Sequence, residues 1–135
     1  MPPFSHKPNA YSGPSYQEVL RMRQQNISAS QFTYYKQPVL VTEGKMQYVF
    51  DHTGKRYLDM NAGFATTVVG HCHPRINSKI VEQVGKLQHC STIYLNDEMS
   101  LFAYELTQKL PEGMDSVFFA CSGSEANVQA THFAR

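Results

Sequence analysis

The sequence predicts an α/β protein in which a small antiparallel meander precedes a layer built on a mainly parallel sheet. Three observations predict it. Helical, strand-like and helical patterns alternate from Pro74 to Arg135, the order that builds a parallel sheet with covering helices. Ahead of them, short β-branched and aromatic runs are separated by Gly44-Lys45 and by Asp51-His52-Thr53-Gly54, which is the turn chemistry of hairpins. The third is the stretch Asp115–Asn127, where an apolar run meets Ser122-Gly123-Ser124 and then a helix-forming segment. In such sheets the turn after a strand's carboxyl end is where ligands bind.

Three segments follow from that reading: an arm with a short helix over 1–33, the sheet segment over 34–60, and the start of a larger domain over 61–135. Residues 1–14 carry Pro, Ser, Asn and Gly without periodicity and are expected to form a loose arm. Ser15-Tyr16-Gln17-Glu18 matches a capping box, so a helix is expected from Tyr16 to about Gln25 with Tyr16, Val19 and Leu20 on one side. Such a helix packs either on a partner subunit or on its own domain. Strands are expected at Val39–Thr42, Met46–Phe50 and Arg56–Asp59, with Tyr48, Phe50, Tyr57 and Leu58 supplying the buried face.

Asn61–Gly70 is dominated by small residues and reads as a loop. His73 and Pro74 open the next helix, because proline at the first helical position loses no hydrogen bond. Ile76, Ile80, Val84 and Leu87 form its apolar stripe, and Glu82 with Lys86 an exposed ion pair. Asn96 or Asp97 caps a further helix with Leu101, Phe102, Leu106 and Leu110 inward and Pro111 at its end.

Composition narrows the classes of function. The chain has 135 residues, a hydrophobic content of 41% and a formal net charge of +1. That balance provides no electrostatic footprint for nucleic acid or an anionic membrane. No apolar run approaches the ~18 residues of a spanning helix. Neither a signal peptide nor a transit peptide is evident at the start. Cys72, Cys90 and Cys121 read as free thiols of a reducing compartment. His71-Cys72-His73 has ligand types but no second cluster, so no metal site is expected. His89-Cys90 places two catalytic residue types side by side, where they do not face each other.

The chemistry concentrates at Ser122-Gly123-Ser124-Glu125. The first N–H groups of a helix lack internal partners, and the helix dipole favours an anion there. Gly123 and Ser124 are the candidate backbone donors to a phosphate, and the hydroxyls of Ser122 and Ser124 can add to them. A capped helix with no ligand is the plain alternative. A serine hydrolase with Ser122 as nucleophile is a third reading, for which only His132 follows as a base.

Ser122-Gly123-Ser124-Glu125-Ala126-Asn127 resembles the phosphate cup of the class III pyridoxal-phosphate aminotransferases. Gly70-His71-Cys72-His73-Pro74 and Gly54-Lys55-Arg56-Tyr57-Leu58-Asp59 are similar to two further segments of that family, in the same order. The resemblance implies the N-terminal part of the pyridoxal-phosphate-dependent transferase fold of type I. It implies pyridoxal 5'-phosphate as cofactor, held by Ser122, Gly123 and Ser124, and amino-acid and oxo-acid substrates. Within the family it leans to the mitochondrial branch with alanine as donor and glyoxylate as acceptor. The related phospho-lyases of phosphorylated amino-alcohols carry the same three segments.

Phe64 matches a position that lines the substrate pocket in some members, so it is a candidate substrate contact. A homodimer or higher homo-oligomer is implied. The location is mitochondrial by resemblance, with the cytoplasm left open. The family's cofactor-tethering lysine lies past position 135, so no catalytic residue is expected here. The chain itself is expected to be an inactive N-terminal fragment.

Overall fold

A computed structural model describes residues 4–134. The chain divides into two compact units, one ending at Lys86 and the other beginning at Leu87.

The first unit is built on a three-stranded antiparallel sheet, β1 (Val41–Lys45), β2 (Tyr48–Asp51) and β3 (Arg56–Leu58), in that spatial order. The first hairpin turns at Met46-Gln47, not at Gly44-Lys45. Lys45 pairs with Tyr48 across the turn, and Met46 takes the positive φ of 50°. Gly44 belongs to β1 instead, because a Cβ there would lie 2.9 Å from the His71 side chain. This glycine serves a close approach inside a strand and not a turn.

Register explains which side chains are buried. Tyr48 opposes Leu58, and Phe50 opposes Arg56, so these four share a face. Phe50 is the buried hydrophobic centre, 2% exposed. Leu58, expected to be buried, is 43% exposed. Tyr57 lies on the opposite face with Val49, since successive strand residues alternate. There its hydroxyl donates to Asp51 Oδ2 at 2.8 Å.

Of the arm expected to be loose, residues 4–9 are held on the sheet, and residues 1–3 lie outside the described residues. Phe4 packs on Tyr48 with ring centroids 4.6 Å apart, and His6 meets Phe50 edge-on at 5.6 Å. Glu43 accepts from His6 and from the Asn9 backbone N–H at 2.9 Å. The aromatic face of β2 supplies the surface that orders these residues. Helix α1 (Tyr16–Asn26) begins at the expected cap, with both halves of the Ser15–Glu18 capping box formed. Tyr16 stacks on His52 at 5.7 Å, so this helix packs on its own unit.

One helix and a four-residue turn, α2 (Ala62–Ala65), complete the first unit; the turn lies in the segment expected as a loop and has positive φ throughout. Helix α3 (Pro74–Lys86) starts with Pro74 in its first position. His73 accepts the first turn's bond from Asn77 N at 2.9 Å. The α3 stripe has the expected spacing but stays open, with Ile76, Ile80 and Val84 43–55% exposed. Glu82 takes its ion pair from Lys79 at 2.8 Å, and the Lys86 charge also favours its ionised form.

The second unit holds α4 (Asp97–Thr107) and α5 (Gly123–Phe133). Asn96 caps α4, its side chain accepting from Met99 N at 2.9 Å. The helix ends at Thr107, ahead of Pro111. Leu101 and Phe102, expected inward, are each 56% exposed. The apolar run 117–120 has the composition of a strand but no ladder, because the described residues of this unit offer it no neighbouring strand. Phe119 stacks on Phe102 at 5.4 Å, and Phe118 meets Phe133 edge-on at 5.6 Å.

Candidate functional site

The start of α5 is built from its cap upward. Ser122 has the extended backbone of an N-cap, φ −149° and ψ 158°. Its hydroxyl oxygen accepts from Glu125 N at 3.2 Å, and its carbonyl accepts from Ala126 N at 3.0 Å. The Glu125 carboxylate folds back and accepts from Cys121 N at 2.9 Å. It satisfies the residue before the cap, not the cap residue itself as in the usual capping box.

The N–H groups of Gly123 and Ser124 meet no acceptor among the described residues. A Cβ placed on Gly123 would find nothing within 4 Å. Two unpaired donors at the positive end of a helix of 11 residues, facing open space, are what a phosphate dianion requires. Ser122 Oγ is engaged as the cap, so its contribution to an anion is its own hydroxyl proton. His132 sits ten residues along the same helix, about 15 Å away along its axis. Ser122 therefore has no base beside it in α5.

The second expected position, Phe64, lies in the first unit on a strained turn. Ala62, Gly63, Phe64 and Ala65 all have positive φ, at 48°, 58°, 54° and 68°. Three of the four are not glycine, and each such residue costs about 1–2 kcal/mol. Phe64 projects 79% exposed. Both ends of the segment are fastened. Asp59 Oδ1 accepts from Asn61 N at 2.9 Å and Ala62 N at 3.0 Å, and Asp59 Oδ2 meets His71 Nε2 at 2.6 Å. The His71 backbone pairs with Met46 in both directions, at 2.7 and 2.8 Å. The His71 bond first, and then the Asn61 N–H, hold the Asp59 carboxyl below its ordinary value against the opposing effect of burial.

The sequence offered Asp59 as a strand end and His71 as part of a His-Cys-His run, with nothing to join them. Their pairing across a 12-residue separation has no periodic signal. His73 Nδ1 is buried without a partner, while Cys72 is exposed. Cys90 Sγ donates to the Ser91 carbonyl at 3.6 Å and forms no couple with His89. Among the described residues no three of His, Cys, Asp and Glu converge as metal ligands do.

The profile of the family "Aminotransferase class-III" matches residues 30–135. The chain belongs to the class III aminotransferases. It is 42% identical over 135 residues to the mitochondrial alanine–glyoxylate aminotransferase 2 homolog 2 of Arabidopsis thaliana, covering 100% of this chain and 28% of that protein. It is 44% identical over 105 residues to the acetylornithine aminotransferase of Archaeoglobus fulgidus, covering 76% of this chain and 27% of that protein. The chain thus spans little more than a quarter of the length of these relatives.

Its structure superposes on the ornithine aminotransferase of Toxoplasma gondii with a TM-score of 0.79 at 25% identity, covering 91% of this chain and 28% of that one. For an Arthrobacter phospholyase in complex with phosphoethanolamine the TM-score is 0.78 at 31% identity, covering 87% of this chain and 27% of that one. The fold is that of the N-terminal part of the type I pyridoxal-phosphate-dependent transferases. Members of the class III family depend on pyridoxal 5'-phosphate. The start of α5 fits that cofactor's phosphate: two unpaired N–H groups, a second hydroxyl on Ser124, and clear space before Gly123.

Proposed function

We propose that this chain supplies the cofactor-phosphate site of a pyridoxal 5'-phosphate-dependent transaminase, and that the whole protein transfers the amino group of alanine to glyoxylate. The observation that carries the first part is the start of α5, in a chain that belongs to the class III family. Gly123 and Ser124 donate their backbone N–H groups to the phosphate. The Ser122 side chain caps the helix and so aims those donors. Each charge-assisted bond contributes roughly 1.5–3 kcal/mol. When bound, the cofactor supplies the electron sink and the amino-group carrier, and the protein supplies anchoring and orientation. Phe64 presents an apolar ring to the substrate side chain, consistent with a small donor such as alanine.

The choice of alanine and glyoxylate rests on how far the likenesses extend. The alanine–glyoxylate relative matches all 135 residues, N-terminal arm included. The acetylornithine relative matches 76% of the chain. A mitochondrial location belongs to the same reading and is supported by the description of the Arabidopsis relative. A homodimer belongs to it too, supported by the family resemblance alone.

A second reading, a phospho-lyase of a phosphorylated amino-alcohol, is favoured by the likeness to the Arthrobacter phospholyase. One assay separates the two. The whole protein, loaded with cofactor, is offered alanine with glyoxylate, N-acetylornithine with 2-oxoglutarate, and phosphoethanolamine alone. Pyruvate and glycine formed in equal amounts are the expected result. Inorganic phosphate from phosphoethanolamine, with no pyruvate from alanine, would overturn the proposal in favour of the lyase.

A further inference from the structure

The segment from Asp59 to His71 is closed at its base and strained in its middle. Asp59 joins both ends: Oδ1 takes the N–H groups of Asn61 and Ala62, and Oδ2 takes His71 Nε2. His71 is itself fixed to the sheet through its backbone pair with Met46. Its ring lies so close to Gly44 that a Cβ there would come within 2.9 Å. Gly70 packs equally tightly, because its own Cβ would lie 2.9 Å from Met46 Cα. Between these anchors, four successive residues hold positive φ, and Phe64 stands out 79% exposed. An exposed aromatic ring on an unfavourable turn persists only where the surroundings over-determine that turn. Bonds inside the turn shape it, from Phe64 N to the Asn61 carbonyl at 3.0 Å and from Thr66 Oγ1 to the Gly63 carbonyl at 2.8 Å, and Asp59 with His71 fastens its base.

We propose that Asp59 and His71 are positioning residues: their side-chain bond clasps the base of the 59–71 segment and so sets where Phe64 meets the substrate. This rests on the reading of Phe64 as a substrate contact. The clasp touches neither substrate nor cofactor. It acts through the turn, and a reacting group displaced by about 1 Å can cost as much as a hundredfold in rate.

The test uses the whole protein and three substitutions. His71→Leu removes the bond to Asp59. His71→Gln keeps a donor near the position of Nε2. Phe64→Ala removes the ring. We expect His71→Leu to raise the KM for the amino donor roughly tenfold, with kcat changed less, and His71→Gln to restore most of it. In the Phe64→Ala background His71→Leu is expected to change KM by less than about twofold, because residues acting through one another are not additive.

Chymotryptic cleavage after Phe64, measured without substrate, is expected to speed up in His71→Leu and to return toward the original rate in His71→Gln. Cofactor affinity is measured in every variant and is expected to stay unchanged, since neither Asp59 nor His71 is among the residues proposed to hold the cofactor phosphate. Equal effects of His71→Leu with and without Phe64, or unaltered cleavage after Phe64, would overturn the clasp. A Phe64→Ala protein with an unchanged donor KM would also overturn it, by removing Phe64 from the pocket. Loss of cofactor affinity in the unsubstituted protein would instead strike at the transaminase reading, and the cleavage rates would still decide the clasp.

Discussion

Asp51 shows how much one carboxylate organises in the first unit. Its Oδ1 accepts from Thr53 N at 2.8 Å, Thr53 Oγ1 at 2.6 Å and Lys55 N at 3.0 Å, and its Oδ2 from Tyr57 OH at 2.8 Å. Burial pushes its carboxyl up, but the bonds from Thr53, Tyr57 and Lys55 outweigh it and bring the pKa down to about 2. A carboxyl lower in the folded state than in the unfolded one, about 3.9, stabilises the fold in its ionised form. That contribution is complete above about pH 4 and is lost as pH falls toward about 2. Asp51→Ala is expected to cost about 2–3 kcal/mol at neutral pH, since it strips a charged acceptor from four donors. Acid unfolding of the Asp51→Ala protein is then expected to lose the part of its pH dependence lying between pH 4 and 2. A pH profile parallel to that of the unsubstituted protein would contradict this account. Nothing in the sequence distinguished Asp51 from an ordinary turn residue, because its role depends on Tyr57 facing the same side across the hairpin.

Helix starts are the elements most legible in the sequence. Ser15, Pro74 and Ser122 each marked a terminus that the structure reproduces, because a cap is a local bargain among four or five adjacent residues. Ser122→Ala is accordingly expected to destabilise α5 by about 1 kcal/mol. The check is the thermal midpoint of the cofactor-free protein, which should fall, and an unchanged midpoint would remove Ser122 from the cap. What neighbours do was not legible. The α3 and α4 stripes have correct periodicity, yet Ile80 and Leu101 stay more than half exposed. Period describes a helix's own face, and burial depends on what covers it. The run 117–120 failed as a strand for the same reason, since a ladder needs a second strand. Gly44 misled in the other direction. It looked like a turn residue and serves instead to admit the His71 ring.

For the whole molecule, the family was legible from three short segments, and the comparisons bear it out over residues 30–135. The positions those segments implied for the cofactor phosphate form a helix terminus with free donors, and Phe64 lands on an exposed turn. The Asp59–His71 clasp was not foreseen, because it joins two of the segments in space.

The central claim is that the start of α5 receives the cofactor phosphate. The measurement that tests it most directly is the dissociation constant of pyridoxal 5'-phosphate from the whole protein, with and without Gly123→Val, and with phosphate-free pyridoxal as control. Among the described residues a Cβ at position 123 finds no neighbouring side chain or loop within 4 Å, so the substitution should disturb α5 little and fill the space before the helix. Pyridoxal 5'-phosphate is expected to bind at least tenfold more weakly to the variant, about 1.4 kcal/mol, while pyridoxal binding changes little. Equal affinity of both proteins for pyridoxal 5'-phosphate would contradict it.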